Sequence, residues 1–367
     1  MKLSCNKQIL VDAVSIVQRA VASKSSIEAL ESILLKTTDQ GIELCGYNLE
    51  LAMKTTIKAA ITEPGKILLN AKLFGEIVRR LPADDVYLTT DENHVTTIQS
   101  GPSEFSIVST PAEEYPELPA IPEEDSISLT HSLLKSMIRQ TIYAVADNDS
   151  RPIHTGTLFE LQKNKLHLVS VDGYRLAYRE EDIKNDLETN FVVPGKTLSE
   201  ILKLLEDSDE IVQLHIGKRH IMFQINDYYV TSRLLEGQFL DYRAAIPKEF
   251  STEVLANTRT VIDSIERVSL LIMDRLKSPV RCMIEQDEMR LSCSTPIGRA
   301  NDQFAVKAEG DTLEIGFNSR FLLEALRNAE GDEIKIQFSG QTSPMLVRPK
   351  EGNSFLFLVL PVILKAE

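Results

Sequence analysis

A helical phrase occurs three times in this 367-residue chain, at one fixed interval. "NAKLFGEIVRRL" begins at Asn70, "PGKTLSEILKLL" at Pro194 and "NSRFLLEALRNA" at Asn318, so the copies start 124 residues apart. That interval exceeds a solenoid repeat, which has about 20–45 residues, and is long enough for a whole domain. The chain is therefore predicted to contain one domain three times.

The segments around each phrase also repeat. An apolar strand precedes the phrase, and an acidic turn and a further strand follow it, as in "GKILL" and "ADDVYLTT" around the first copy. Upstream lie an alternating hairpin and an amphipathic helix, in which Leu10, Val14, Val17 and Val21 recur at helical spacing. Each copy thus reads helix, strands, helix, strands, which predicts an α+β fold with two helices packed on antiparallel sheets. Junctions at 110–125 and 241–250 predict domains at 1–120, 125–246 and 247–367.

Charge is distributed unevenly along the chain. The six predicted helical segments carry a net charge of +8 although the whole chain carries −14, so the strands and loops carry −22. Good helix propensity of Lys and Arg on solvated faces would by itself account for a basic helix. In a triplicated chain, the pattern favours a positive surface lined by helices, which would hold a polyanion through phosphate contacts. A twofold dimer of a three-domain chain would close into a six-domain ring.

The sequence contains no convincing catalytic or metal-binding motif. Gly195 and Lys196 stand between a strand and a helix, as in a phosphate-binding loop, but Asn190 occupies a position where that loop needs glycine. The four cysteines form no C-x-x-C pair, and Cys45 and Cys293, 248 residues apart, are predicted to be core residues at matching strand positions. No H-E-x-x-H or G-x-S-x-G motif occurs. We therefore expect no enzyme activity, no cofactor and no metal.

Targeting signals are also missing from the pattern. No apolar run reaches the roughly 18 residues that a membrane helix needs, and "MKLSCNKQIL" lacks the apolar region of a signal peptide. The expected location is the cytoplasm, without a membrane partner.

Four stretches, in their order, resemble one known family. "SRPIHTG" (150–156), "VSVDGYRLAYR" (169–179), "EGQFLDYRAAIP" (236–247) and "FLVLPVIL" (357–364) are similar to bacterial DNA polymerase III beta subunits, the sliding clamps. The resemblance covers essentially the whole chain. It implies a non-catalytic, head-to-tail homodimeric ring that encircles double-stranded DNA without reading its sequence. It also implies, as partners, the DNA polymerase III alpha-type subunit, a clamp loader, and other clamp-binding replication and repair proteins.

The resemblance further implies functional residues at matching positions. The implied DNA contacts are Lys24, Lys72, Asn148, Arg151, Pro152 and Ile153. The implied dimer interface combines Phe105 and Ile107, on a strand of the first copy, with Leu271 and Ile272, which are predicted to close a helix of the third. A partner-peptide pocket between the second and third domains would be lined by His154, Val171, Gly173, Tyr174, Arg175, Leu176, Leu240, Ala245, Pro344, Met345, Leu358, Val359, Leu360, Pro361, Val362 and Ile363.

Two alternatives remain open from the residues alone. One is an ATP-using enzyme built around Lys196, which nucleotide binding at that residue would favour. The other is a structural oligomer, which predicts no effect of DNA. Retention on closed circular DNA, with loss from linear DNA, would favour the clamp.

Overall fold

The computed structural model of the protein describes residues 1–121, 125–147, 151–272 and 278–364. Each of the three copies contains a strand, a helix, several strands, a second helix and three further strands, to which the first copy adds a two-residue strand. The α+β prediction is confirmed, and all six predicted helices are present. The strand that opens each copy was not predicted, because five-residue segments such as "KLSCN" are short and present only two apolar residues, Leu3 and Cys5, to the core.

The first copy contains ten strands and two helices. These are β1 Lys2–Asn6, α1 Lys7–Val17, β2 Ser32–Thr38, β3 Gly41–Tyr47, β4 Leu51–Ile57, β5 Ala59–Glu63, β6 Lys66–Asn70, α2 Ala71–Arg80, β7 Asp85–Thr90, β8 Val95–Ser100, β9 Ser103–Val108 and β10 Thr110–Pro111. Short 3₁₀ helices occupy Gln18–Ala20, Glu28–Glu31 and Ala112–Glu114.

The second copy is built in the same order. Its elements are β11 Ser126–Thr130, α3 His131–Ile142, a 3₁₀ helix at Pro152–Thr155, β12 Gly156–Gln162, β13 Lys165–Val171, β14 Arg175–Asp182, β15 Thr189–Pro194, α4 Gly195–Leu202, β16 Ile211–Ile216, β17 His220–Ile225 and β18 Tyr228–Arg233. A one-turn helix, α5 Tyr242–Ala245, lies in the segment that leads to the third copy.

The third copy repeats the order once more. Its elements are β19 Thr252–Asn257, α6 Thr258–Ser269, β20 Val280–Glu285, β21 Glu288–Thr295, β22 Gly298–Ala305, β23 Lys307–Gly310, β24 Leu313–Phe317, α7 Ser319–Arg327, β25 Glu333–Phe338, β26 Met345–Pro349 and β27 Phe355–Val359.

Asparagine side chains cap four of the helices. Asn6, Asn70, Asn257 and Asn318 each accept a hydrogen bond from a backbone N–H in the first turn of the helix that follows. The first N–H groups of a helix have no partner within it, and an asparagine oxygen supplies one. This cap lets each strand pass directly into a helix, with no loop between them.

Helix α6 ends earlier than the sequence predicted. Its last residue is Ser269, and Leu270 caps it with an N–H bond to the carbonyl of Arg267. The prediction that Leu271 and Ile272 close this helix is therefore wrong. The chain tightens into a turn in which the Ile272 N–H donates to the Ser269 carbonyl at 2.9 Å, as is common where the last turn of a helix becomes 3₁₀.

The chain divides into two compact units, and each holds two antiparallel sheets. The first unit comprises the described residues of Met1–Ser132 and Lys203–Leu234. Its sheets have the strand orders β5-β1-β7-β8-β9 and β10-β6-β2-β3-β4-β18-β17-β16-β11. In the larger sheet, β4 of the first copy pairs with β18 of the second, so one ladder joins the two copies.

The second unit comprises Leu133–Leu202 and the described residues from Leu235 onward. Its sheets have the orders β15-β12-β13-β14-β27-β26-β25-β19-β23 and β22-β21-β20-β24. Here β14 of the second copy pairs with β27 of the third, with Arg175 opposite Val359. The helices bury one apolar stripe each, for example Val261, Ile265 and Val268 of α6, which is the source of most helical stability in a protein.

All four cysteines are buried thiols, which confirms the predicted core positions of Cys45 and Cys293. Cys45 on β3 and Cys293 on β21 occupy equivalent strands of their copies. Burial raises the pKa of the Cys45 thiol to about 12 and also raises that of Cys293. A thiol held protonated in this way is unreactive.

Candidate functional site

A tight turn between β13 and β14 presents a tyrosine to solvent. The Asp172 carboxylate accepts hydrogen bonds from the backbone N–H groups of Tyr174 at 2.9 Å and Arg175 at 3.1 Å. Gly173 takes a φ of +86°, which an L-residue with a side chain rarely adopts. The segment "DGYR" therefore forms a turn between two strands. The turn leaves the Tyr174 side chain 63% exposed.

Arg175, by contrast, is buried beneath this turn. Its Nε donates to Asp172 at 2.9 Å and its Nη1 to Glu324 on α7. The guanidinium lies 4.7 Å from the ring centre of Phe321 and 5.4 Å from that of Tyr143. Two carboxylates and two aromatic faces thus compensate the buried charge, which would otherwise be costly.

The C-terminal segment runs alongside the turn. All residues of β27 are buried, whereas Leu360, Val362 and Ile363 are exposed. The Leu360 N–H donates to the Tyr174 carbonyl at 2.9 Å, and the Val362 N–H donates to the Gly316 carbonyl at 2.8 Å. The segment therefore changes from core strand to surface wall directly after Val359.

These elements adjoin one another in the second unit, and the largely apolar surface that they share beside Tyr174 is here termed the groove. Val171, Leu176, Met345 and Leu358 are buried beneath it. The exposed predicted residues of the groove are Gly173, Tyr174, Leu240, Ala245, Leu360, Val362 and Ile363, and Pro344 and Pro361 are half-buried. A surface of this kind suits the apolar side chains of a short peptide.

Two further predicted site residues, Ile153 and His154, are also buried. Ile153 is only 5% exposed and packs in an apolar cluster with Leu158 and Val171. Its prediction as a DNA contact is therefore wrong, because burial removes its side chain from any ligand. His154 is also buried, with its ring edge-to-face on Phe239 at 5.8 Å, so it supports the groove from within.

Sequence reasoning missed several residues of the groove. Phe321 stacks on Tyr174, with ring centres 5.8 Å apart, and Glu324 holds Arg175. Both belong to the third copy of the repeated helical phrase, where Phe321 is equivalent to Leu73 and Thr197. One signal could have identified Phe321: among the three copies of the phrase, only the copy that adjoins the "DGYR" turn has an aromatic residue at this position.

The segment between the second and third copies is fastened to the sheet by one carboxylate. Glu160 on β12 accepts hydrogen bonds from Tyr242 Oη at 2.8 Å and from Arg243 Nη2 at 2.6 Å. Burial raises the pKa of Glu160, but the bonds from Arg243 and Tyr242 outweigh burial and hold this pKa below its usual value. Glu160 thereby positions α5, which carries Ala245 of the groove.

Glu160→Gln is expected to lower the free energy of unfolding by about 1–2 kcal/mol at neutral pH, because it removes a charged acceptor from a partly exposed network. A carboxylate with a lowered pKa stabilises the fold above its unfolded pKa, and this stabilisation is lost as the pH falls through the folded value. In urea unfolding, the difference from the unsubstituted protein should therefore shrink below about pH 4.5. Glu249→Gln, an exposed carboxylate in the same segment, serves as the control. An equal loss in both variants would contradict the role of Glu160.

Most exposed arginines of the helices are already paired. Arg79 and Arg80 both bond Glu76. The further pairs on the helices of the third copy are Arg259 with Asp263, Arg267 with Asp302, Arg320 with Glu324 and Arg327 with Glu266. Lys24 and Lys72 differ, since both are exposed and neither forms an ion pair within the described residues. Fewer cations are therefore available to contact a polyanion than the net charge of the helical segments suggested.

The remaining predicted DNA contacts lie in the second copy. Arg151 and Pro152 are exposed where the chain enters the 3₁₀ helix that precedes β12. Asn148 lies outside the described residues.

Two edge strands carry the predicted interface. In the described structure, β9 pairs only with β8, and β22 pairs only with β21. Phe105 is exposed and Ile107 half-buried on β9, where Val108 is 80% exposed. Leu271 reaches to 3.7 Å from the position that a Cβ on Gly298 would occupy, which places it beside the start of β22. Both edges leave backbone donors and acceptors free for pairing.

The start of α4 is tightly packed at Gly195. A Cβ at this residue would lie 3.1 Å from the Thr155 carbonyl and 3.1 Å from Val145. Among the described residues, no group of His, Cys, Asp and Glu is arranged to hold a metal ion. Nor does any helix within the described ranges have the length and hydrophobicity required to cross a bilayer.

Comparisons with known proteins match the chain from end to end. Models of the N-terminal, central and C-terminal domains of the DNA polymerase III beta subunit match residues 1–119, 128–241 and 243–363. A beta sliding clamp of Bacillus subtilis is 34% identical over 375 residues, which cover 99% of each chain.

Solved structures give the same result. The DNA polymerase sliding clamp from Bacillus subtilis has a TM-score of 0.97 at 33% identity and is covered completely, as is this chain. The DNA polymerase beta subunit of Streptococcus pyogenes has a TM-score of 0.94 at 30% identity, over 99% of this chain and 100% of that one. The chain therefore belongs to the DNA polymerase III beta subunit family, the bacterial sliding clamps.

Proposed function

We propose that two copies of this chain close into a six-domain ring around duplex DNA and hold the replicative polymerase on it. As a family member the chain is a DNA sliding clamp, a processivity factor without a catalytic site of its own. Its partners are double-stranded DNA, a second copy, the polymerase III alpha-type subunit, the clamp loader and further clamp-binding proteins. We place its domains at 1–120, 125–246 and 247–367, and its site of action in the cytoplasm.

The observation that carries the ring is that β9, which holds Phe105 and Ile107, and β22, which lies beside Leu271, are both edge strands. One edge, β9, belongs to the first copy and the other, β22, to the third. Pairing β9 of one protomer with β22 of the next satisfies both edges, and a twofold axis then repeats the contact and closes the assembly. Glu104 on β9 and Arg299 on β22 are exposed and of opposite charge, which favours this pairing over contact between like edges.

Retention on circular DNA tests the proposal. The protein, loaded by a bacterial clamp loader onto a nicked plasmid, should co-elute with the plasmid in gel filtration. Cutting the plasmid once should release it, because topological linkage rather than tight contact retains a ring. Equal retention on circular and linear DNA would contradict the ring, and binding of nucleotide at Lys196 would favour an enzyme.

We further propose that Lys24 and Lys72 contact DNA phosphates. Arg151, Pro152 and Asn148 are proposed as further contacts with the DNA. Their contacts would not distinguish bases, as sliding requires. A lysine without a carboxylate partner that neutralises a phosphate releases a counterion from the DNA. An arginine held by a carboxylate must first exchange that partner for the phosphate, so its net contribution to binding is smaller.

The double variant Lys24→Ala and Lys72→Ala is expected to weaken binding to a linear duplex at low salt. The slope of log K against log salt concentration should become shallower by about 1.8, since each phosphate contact contributes about 0.9. Fluorescence anisotropy with a labelled duplex measures both quantities. Arg80→Ala, which removes a cation that Glu76 already holds, is the control and should change the slope less. A larger effect of the control would refute the assignment.

We also propose that the groove beside Tyr174 is the partner-peptide site. The apolar floor would take the hydrophobic side chains of an extended segment, and the wall formed by residues 360–363 would confine it. The exposed ring of Tyr174 on Phe321 offers the kind of aromatic anchor that dominates binding energy at many interfaces.

A further inference from the structure

Glu324 on α7 holds two arginines at once. Its Oε2 accepts from Nη1 of the buried Arg175, and its Oε1 accepts from Nε of the exposed Arg320 at 3.0 Å. Arg320 stands in the first turn of α7, four residues before Glu324 on the same face. One carboxylate therefore joins a buried cation beneath the peptide groove to an exposed cation on a helix.

Arg175, the buried cation that Glu324 holds, is connected by direct contacts to the groove. Arg175 is fixed by Asp172 and Glu324 and lies against Phe321. Phe321 in turn supports Tyr174, the most exposed aromatic of the groove. Two direct contacts, Arg175 with Phe321 and Phe321 with Tyr174, therefore connect the Glu324–Arg175 pair to Tyr174.

The exposed end is available to an anion. The side chain of Arg320 retains 68% of its exposure in spite of its bond to Glu324. A phosphate competes well for such a guanidinium, because surface ion pairs between neighbouring side chains contribute little free energy. When Arg320 turns to a phosphate, both oxygens of Glu324 become free for the two-pronged pairing that Arg175 can make.

We propose that Glu324 is a positioning residue that couples DNA contact at Arg320 to partner-peptide binding beside Tyr174. This inference rests on the proposed function, in which α7 belongs to the helices that face the duplex. Duplex contact draws Arg320 away, Glu324 holds Arg175 more tightly, and the ring of Tyr174 is fixed for the peptide. Because coupling between two ligands is reciprocal, a bound peptide strengthens duplex contact by the same factor. The clamp then favours partners when it is on DNA.

Peptide affinity measured with and without duplex tests the coupling. The probe is a labelled short peptide selected on the unsubstituted protein from a library of apolar peptides, and the second ligand is a linear duplex at low salt. We expect the duplex to tighten peptide binding by about three- to thirtyfold, the range found for residues that modulate coupling between sites. Anisotropy of the labelled peptide gives both affinities.

Three variants separate this role from a structural one. Glu324→Gln should weaken peptide binding by about tenfold, strengthen duplex binding and abolish the coupling between the two. Arg320→Gln changes only an exposed side chain and leaves Glu324 free for Arg175. Without DNA, this variant should bind the peptide as tightly as the unsubstituted protein does with duplex, and the duplex should tighten peptide binding no further. Glu266→Gln frees Arg327, which it binds at 2.7 Å. This control should strengthen duplex binding as Glu324→Gln does, but it should leave the peptide affinity and the coupling unchanged.

The possible outcomes distinguish failure of the proposed function from failure of the role of Glu324 alone. If the unsubstituted protein binds neither peptide nor duplex, the proposed function itself fails. If it binds both but the duplex does not alter peptide affinity, or if Arg320→Gln retains the coupling, only the role of Glu324 is overturned. Arg320→Gln gives this answer even if Glu324→Gln does not fold.

Discussion

Replacing Leu271 and Ile272 with aspartate is expected to convert the dimer into monomers. Leu271 lies beside the start of β22, next to Leu270, which is 81% exposed. Two carboxylates at that position would have to be buried without partners when β22 pairs with another protomer, and an unpaired charge in an interface costs several kcal/mol. The mass from light scattering should fall by half, and retention on circular plasmid should be lost with it.

A matched control separates dimerisation from general surface charge. Ile211→Asp places a carboxylate at an exposed apolar residue of β16, a strand already paired on both sides with β11 and β17. This variant should remain dimeric. A dimer of unchanged mass in the Leu271 and Ile272 variant, with normal retention, would remove these residues from the interface.

Ending the chain at Val359 is expected to abolish binding of the partner peptide while the ring remains closed. The truncation removes Leu360, Val362 and Ile363 from the wall of the groove, together with the bond from Leu360 N–H to the Tyr174 carbonyl. Loss of an interface wall and of the hydrogen bond that fixes an aromatic anchor should weaken the peptide by roughly a hundredfold or more, as for other hot-spot removals. Light scattering should still report a dimer, since neither β9 nor β22 is altered.

A shorter truncation gives the comparison. Removing only residues 365–367 leaves the wall in place and should preserve peptide affinity. Leu360→Asp provides a second route to the same result without shortening the chain. Full affinity in the protein that ends at Val359 would exclude the C-terminal segment from the site.

The sequence predicted the repeated parts of this fold well. The two helices of each copy, the hairpins between them and the "DGYR" turn all depend on local patterns, namely periodicity, asparagine caps and a glycine with positive φ. These interactions lie within a few residues of each other, so the local sequence encodes them. The short opening strands and the end of α6 were missed, because neighbouring strands and a tightened last turn decide those boundaries.

The candidate site was predicted less completely, for a related reason. The family resemblance supplied Tyr174, Arg175 and the segment from Leu358 to Ile363. It did not supply Phe321 or Glu324, which reach the "DGYR" turn only through the packing of α7. It also assigned Ile153 to a surface, although packing against Leu158 and Val171 buries it. Burial of one residue in a loop depends on what packs over it, and no local pattern records that.

The amino-acid sequence by itself determined that one α+β domain occurs three times and that positive charge is concentrated on its helices, since periodicity and composition are properties of the chain. The tertiary structure alone decided which strands pair between copies, which strands lie at sheet edges, and which carboxylate of α7 holds the buried Arg175. Strand pairing between copies and the pairing of Arg175 with Glu324 depend on contacts between residues more than a hundred positions apart. Such contacts form only when the sheets and helices have packed.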